Sequence, residues 1–380
     1  MEPPLRPAHA IVASRAASAE RTPAASAGLQ DNPPHGDAPF LAEALAPFQP
    51  WLDDPCVMEI LVDGDGAFWI ERSGSEALEE IVDARITQER LVRLARLIAA
   101  ASAQRINTHH PLLSASLPMR GSGAISGRQG ALQGGVRGGE RIQFLLPPAA
   151  RHGVAMAIRK QVVVDRSLAD YAAEGAFQGL AVARTAPSDP ADAALRALAQ
   201  RGDITGFLEA AVGARKTILI SGATSSGKTT LLNALLARIP AHERIITIED
   251  APELRPPHRS VVSLIASRGD QGDAAVSPQT LLEAALRLRP DRILLGELRG
   301  AEAFAFLRAV NTGHPGSLTT VHADSPESAF EQIALMALQS GVALSRADIL
   351  AYVRSVVRIV VQTARVGGRR IISAVHYGDL

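Results

Sequence analysis

The run Gly222-Ala223-Thr224-Ser225-Ser226-Gly227-Lys228-Thr229 sets its residues at the spacing G-x-x-x-x-G-K-[ST]. The chemistry of that spacing is phosphate binding. Glycines let backbone N–H groups wrap phosphate oxygens, a lysine neutralises the β and γ oxygens of a nucleoside triphosphate, and a threonine hydroxyl takes a Mg²⁺ position. Here those parts are Gly222, Gly227, Lys228 and Thr229, with Thr230 next in line. Of 39 Lys and Arg residues only Lys160, Lys216 and Lys228 are lysines. A lysine kept in so arginine-biased a chain points to a need for a compact point charge.

Three further clusters carry groups suited to work on a bound triphosphate. Ile293-Leu294-Leu295-Gly296-Glu297 ends an apolar run on a carboxylate. At the tip of a strand beside the phosphate loop, Glu297 either polarises the attacking water or holds the metal; without the loop, a Glu ending a strand is more often a solvated edge residue. The Asp usual in such a strand is replaced by Gly296. Ile248-Glu249-Asp250-Ala251-Pro252-Glu253 offers Glu249 and Asp250 to the Mg²⁺ shell and Glu253 to alignment of the nucleophile, or is merely an acidic, solubilising loop. In residues 313–323, His322 is expected at the same carboxyl edge as Glu297, where it senses the γ-phosphate. No cysteine or closely spaced acid accompanies His314 and His322, which argues against a metal pair.

These groups need a sheet that delivers them to one edge. From residue 216 onward, strand-length apolar runs at 217–221, 245–248, 261–265, 293–295 and 317–321 alternate with helical patterns, predicting a doubly wound α/β sheet. Leu231, Leu232, Leu235 and Leu236 place a helix directly after the phosphate loop, its N-terminal dipole facing the phosphates. Ser277-Pro278 starts a helix that Pro290 stops, and Gly313 ends another begun near Ala301. A hairpin over 359–363 and 371–375, turned at Gly367-Gly368, closes the chain.

The first half reads as a smaller α+β domain. Strands at 58–62 and 67–71 flank the turn Asp63-Gly64-Asp65-Gly66, Thr87 caps a helix running to about Gln104, and strands follow at 141–146 and 154–159. Between them, residues 119–139 hold eight glycines, three arginines and no acidic residue, a flexible basic insertion. The division expected is a disordered Pro- and Ala-rich tail at 1–38, an N-terminal α+β domain at 39–164, a linker at 165–200 carrying helices at 168–176 and 191–200, and a RecA-like phosphate-loop motor domain at 201–380. A helix over 203–213 opens the last of these.

Acidic and basic residues balance at 39 each, so bulk or sequence-specific nucleic-acid binding is not expected. Cys56 is the one cysteine, which excludes an internal disulfide and a cysteine-clustered zinc site. No apolar run approaches the about 20 residues needed to span a bilayer, and residues 10–13 are too short for a secretory core. A cytoplasmic protein is expected.

The four motifs, in this order and at these intervals, resemble the type II/IV secretion NTPase superfamily: Walker A, an acidic box, the Gly-Glu form of Walker B, and a histidine box. Arg-Pro-Asp-Arg-Ile-Leu-Leu-Gly-Glu-Leu-Arg-Gly at 289–300 and Asn-Thr-Gly-His-Pro-Gly-Ser at 311–317 look most like its type IV secretion (VirB-type) traffic ATPases. Residues 111–115, 140–143 and 158–160 resemble that family's N-terminal domain. The resemblance implies an Mg²⁺-dependent ATPase and a homohexameric ring of two stacked layers. It further implies other secretion-apparatus proteins as partners, and a peripheral seat on the cytoplasmic face of the inner membrane. Nucleotide then lies between the N-terminal and motor domains, giving Arg141 and Arg159 roles as phosphate or interdomain contacts through their planar forks. The insertion 119–139 and the tail have no counterpart in the family pattern. A sister motor of pilus assembly or type II secretion, a DNA translocase, and a nucleotide-gated scaffold with little turnover are the alternatives. The four-cysteine module of many type II motors is ruled out by the single cysteine.

Overall fold

The structure is a computed structural model that describes residues 38–117, 139–160, 167–178, 190–267 and 274–378. Nearly all of the expected tail and of the expected insertion, with residues 165–166 and 179–189 of the expected linker, lie outside those residues.

Two sheets organise the chain. The first has six antiparallel strands in the order β3-β2-β1-β6-β5-β4, formed by β1 Val57–Val62, β2 Phe68–Arg72, β3 Glu79–Ile81, β4 Leu112–Ser116, β5 Arg141–Leu145 and β6 Ala155–Arg159. The Asp63–Gly66 turn closes the β1–β2 hairpin, with Gly66 at φ 90°. The helix Gln88–Ala101 packs Leu91, Leu94 and Ile98 into this half's core, and the Thr87 side chain caps it by accepting from Arg90 N. It stops at Ala101, short of the expected Gln104, because Ala103 turns to φ 52°.

The second sheet has seven strands in the order β13-β12-β7-β11-β10-β8-β9. They are β7 Ile218–Gly222, β8 Ile245–Glu249, β9 Val261–Ile265, β10 Arg292–Leu295, β11 Leu318–Val321, β12 Ile359–Val366 and β13 Arg369–Tyr377. All but β13 run parallel. Parallel strands are covered on both faces, so they read as continuous apolar runs, and β7, β8, β10 and β11 are buried at every position. This is the doubly wound motor portion expected beside an α+β N-terminal portion. The helix Pro278–Ala285 begins at its Ser277 cap but ends before Pro290; its C-cap is Leu286, and Arg289 sits at φ 55°. Two helices not foreseen, Pro326–Leu338 and Arg346–Val356, are each started by a serine cap, at Ser325 and Ser345.

The two sheets share a core. Leu61, Trp69, Ala149 and Ala157 of the first half pack in one apolar cluster with Ile248, Leu264, Leu295 and Phe306 of the second. At its margin Arg151 N donates to Ser263 O at 2.9 Å and Ile265 N to Ala149 O at 2.8 Å. Beside it lies a buried ionic group. Arg244 Nη1 is 2.6 Å from Asp63 Oδ1 and donates to Ser260 Oγ at 2.6 Å, while Trp69 Nε1 and Ser260 Oγ both donate to Asp63 Oδ2, at 2.8 and 3.1 Å. Among the described residues no helix is long and apolar enough to cross a membrane.

Candidate active site

Strand β7 delivers the chain into the loop 222–229, and the helix Lys228–Leu236 carries it away. Glycine is required at both ends of that loop. A Cβ on Gly222 would lie 2.3 Å from Thr363 Oγ1 and 2.5 Å from Ser226 Oγ, and Gly227 sits at φ 101°. The crowding has a purpose. Thr363 on β12 donates to Ser221 O at 3.0 Å and is 2.7 Å from Ser226 Oγ, so the neighbouring strand holds the loop in shape.

Inside the loop Lys228 is mostly buried, its Nζ donating to Gly222 O at 3.0 Å and Ala223 O at 3.2 Å. It also lies 3.2 Å from His322 Nδ1. An ammonium only donates, so Nδ1 accepts and the imidazole proton belongs on Nε2. That nitrogen is 2.6 Å from Glu297 Oε1, a buried oxygen with no other donor among the described residues. Burial holds the Lys228 pKa below the ordinary lysine value; the Glu297 charge works against this and the Arg299 charge adds to it.

Glu297 emerges just past β10, where Thr320 Oγ1 fixes the preceding residue by donating to Gly296 O at 2.8 Å. A Cβ on Gly296 would lie 3.4 Å from Glu249 Cγ, so the Asp usual there would drive its charge toward the Glu249 carboxylate. Arg299 grips the other oxygen of Glu297, its Nε donating to Oε2 at 2.6 Å, and approaches Asp250 Oδ2 at 3.6 Å. Glu249, at the end of β8, spends Oε1 on the backbone: Glu253 N and Leu254 N both donate to it at 2.8 Å. Its pKa is pushed up by burial. Asn233, on the helix after the phosphate loop, ties the same turn down by donating to Glu253 O and accepting from Arg255 N.

The result is one cavity of about 340 Å³ lined by Thr224, Ser225, Ser226, Gly227, Lys228, Thr229 and Thr230 on one side, and by Glu249, Asp250, Glu253, Glu297 and His322 on the other. Gly222 and Ala223 stand behind it, as acceptors for Lys228. The residues fit a magnesium ion that arrives on phosphate. Among the described residues no three His, Cys, Asp or Glu side chains are grouped to hold a metal alone, while the Glu297 carboxylate and Thr229 line the same cavity.

Arg141 and Arg159 are not brought to this cavity within one chain. They face each other across β5 and β6 and line a separate cleft of about 800 Å³ with Glu59, Arg289 and His314. The reason is the sheet pairing and the shared core, which fix that end of β5 and β6 against the arginine-rich turn before β10. His314, bonded to Pro290 O, thus parts company with His322. In this cleft Glu59 is pushed up to about 7 from the usual 4.5, first by burial and then by Glu71. The folded chain therefore holds a proton that the unfolded chain releases above 4.5, and stability should fall as pH rises from about 4.5 to 7. Glu59→Gln should remove that slope and gain about 2–3 kcal/mol at pH 8. Denaturant midpoints at pH 5 and 8 check this; an unchanged pH dependence refutes it.

Sequence reasoning passed over Arg299, Asn233, Thr363 and Arg370. Arg299 stands two residues after Glu297 in a run already singled out. Thr363 and Arg370 reach the loop from the closing hairpin, and only strand register places them there.

The family profile described as "Type II/IV secretion system protein" matches residues 181–372. The type IV secretion system protein VirB11 of Bartonella quintana (strain Toulouse) is 38% identical over 346 residues, covering 88% of this chain and 91% of that protein. VirB11 of Brucella suis biovar 1 (strain 1330) is 40% identical over 300 residues, covering 78% and 77%. The crystal structure of the VirB11 ATPase from the Brucella suis type IV secretion system in complex with sulphate aligns with a TM-score of 0.79 at 38% identity, over 90% of this chain and 96% of that one. With the phosphate loop, the Gly-Glu strand end and the histidine converging on one cavity, the chain belongs to the type II/IV secretion system protein family, among its VirB11 ATPases.

Proposed function

We propose that this chain is the Mg²⁺-dependent traffic ATPase that energises a type IV secretion apparatus, acting as a ring of like subunits, a hexamer, on the cytoplasmic face of the inner membrane. The observation that carries the catalytic assignment is the convergence of Lys228, His322 and Glu297, with Glu297 Oε1 held 2.6 Å from His322 Nε2. Lys228 exchanges its contacts to Gly222 and Ala223 for the β and γ oxygens of ATP, and the N–H groups of residues 224–230 line the phosphates. Thr229, with Asp250 and Glu297 through water, would hold Mg²⁺, which would supply neutralisation of the negative charge on the phosphate oxygens as the bond from the γ-phosphorus to its leaving oxygen breaks. Glu297 Oε1 orients and deprotonates the attacking water while Arg299 fixes the other oxygen.

Glu249 is the brace of the acidic turn, keeping Asp250 and Glu253 at the cavity wall. His322, between Lys228 and Glu297, registers the loss of the γ-phosphate because both of its neighbours change partners when it leaves. Arg141 and Arg159 act on the nucleotide of a neighbouring copy: within one chain they line a separate cleft rather than the phosphate-loop cavity.

The test pairs mass with turnover. Glu297→Gln should keep nucleotide binding and the assembled mass by light scattering, and lose phosphate release by about a hundredfold. A variant turning over normally removes Glu297 from its role, and activity confined to fractions of monomer mass removes the ring.

A further inference from the structure

The β12–β13 hairpin lays one more side chain on the phosphate loop. Arg370 lies over Gly227 so closely that an added Cβ there would be 3.0 Å from Arg370 Cδ. Its Nε donates to Ser225 O at 3.4 Å, and the side chain lines the same cavity as Lys228. Arg365 pairs with it directly across the ladder, a like-charge juxtaposition that weakens a sheet. Two facing arginines on an exposed edge hairpin are not there for the hairpin's own stability.

The sheet order says which part of a nucleotide Arg370 meets. Glu297 follows β10, His322 follows β11 and Glu249 ends β8, and all three strands lie to one side of β7; β12 and β13 lie to the other. A triphosphate whose γ end meets Glu297 and His322 therefore leads its nucleoside end toward the hairpin. We infer that Arg370 is a nucleotide-binding residue on the nucleoside side, its planar guanidinium packing on the face of the base. Guanidinium suits that task because it is flat, weakly hydrated and attracted to π faces. The inference rests on the ATPase reading above and adds to it the residue that recognises more than phosphate.

Calorimetric binding of ADP and of inorganic tripolyphosphate, both with Mg²⁺, separates the possibilities. Arg370→Ala should weaken ADP about tenfold and leave tripolyphosphate unchanged. Arg370→Lys, which keeps charge but not the plane, should behave like Arg370→Ala. Arg365→Ala should bind both as the unaltered chain does, since Arg365 does not line the cavity. Equal losses for both ligands, recovery of ADP binding in Arg370→Lys, or unchanged ADP binding in Arg370→Ala would each overturn the inference. An unaltered chain that binds neither ligand would instead overturn the ATPase reading beneath it.

Discussion

Lys228→Ala is expected to cut ATP hydrolysis by about a thousandfold, which corresponds to about 4 kcal/mol of lost transition-state stabilisation. The magnitude follows from where the ammonium sits. Lys228 is the loop's one side-chain cation, it is shielded from water, and charge gathers on the phosphate oxygens as the terminal bond breaks. Fold loss does not account for such an effect. The hydrogen bonds given up to Gly222 O and Ala223 O contribute about 1 kcal/mol each, so the variant's melting transition should move only a few degrees. Phosphate release against ATP concentration, read with a thermal melt, separates the two. A folded Lys228→Ala chain with undiminished turnover would mean that hydrolysis happens elsewhere.

The motor site was legible in sequence because its parts lie at strand ends, and strand ends are where apolar runs stop. Residues 218–222, 245–249, 292–295 and 318–321 are uninterrupted buried strands, so the first polar residues after them mark the carboxyl edge. That logic does not separate the members of the acidic box from one another. Glu249 differs from Asp250 in burial and in having two backbone donors, and neither is written locally. Arg370 was out of reach for a related reason: a bulge between Gln362 and Thr363 shifts the hairpin register that brings it to Ser225. The resemblance gives Arg141 and Arg159 one kind of role, but that they face each other is set by the pairing of β5 with β6, and where that sheet lies depends on the core shared between the two halves.

That shared core leads to the second large effect. Asp63→Ala should destabilise the folded chain by about 3–5 kcal/mol, because it strands the Arg244 guanidinium in an interior that water does not reach. Both side chains are essentially inaccessible, at 0% and 1% exposure. Arg244 retains Ser260 Oγ and Leu288 O as acceptors, but neither cancels a charge. Replacing both partners with apolar residues of similar size should recover much of the loss, since the pair's attraction is largely offset by the cost of drying it. Urea unfolding of Asp63→Ala, Arg244→Met and the double variant tests this: a double variant as unstable as the two losses added together would contradict it. The location makes the result matter for the motor. Asp63 follows β1 of the first sheet and Arg244 precedes β8 of the second, so the pair and the apolar cluster beside it bind the two halves of one chain into a single body.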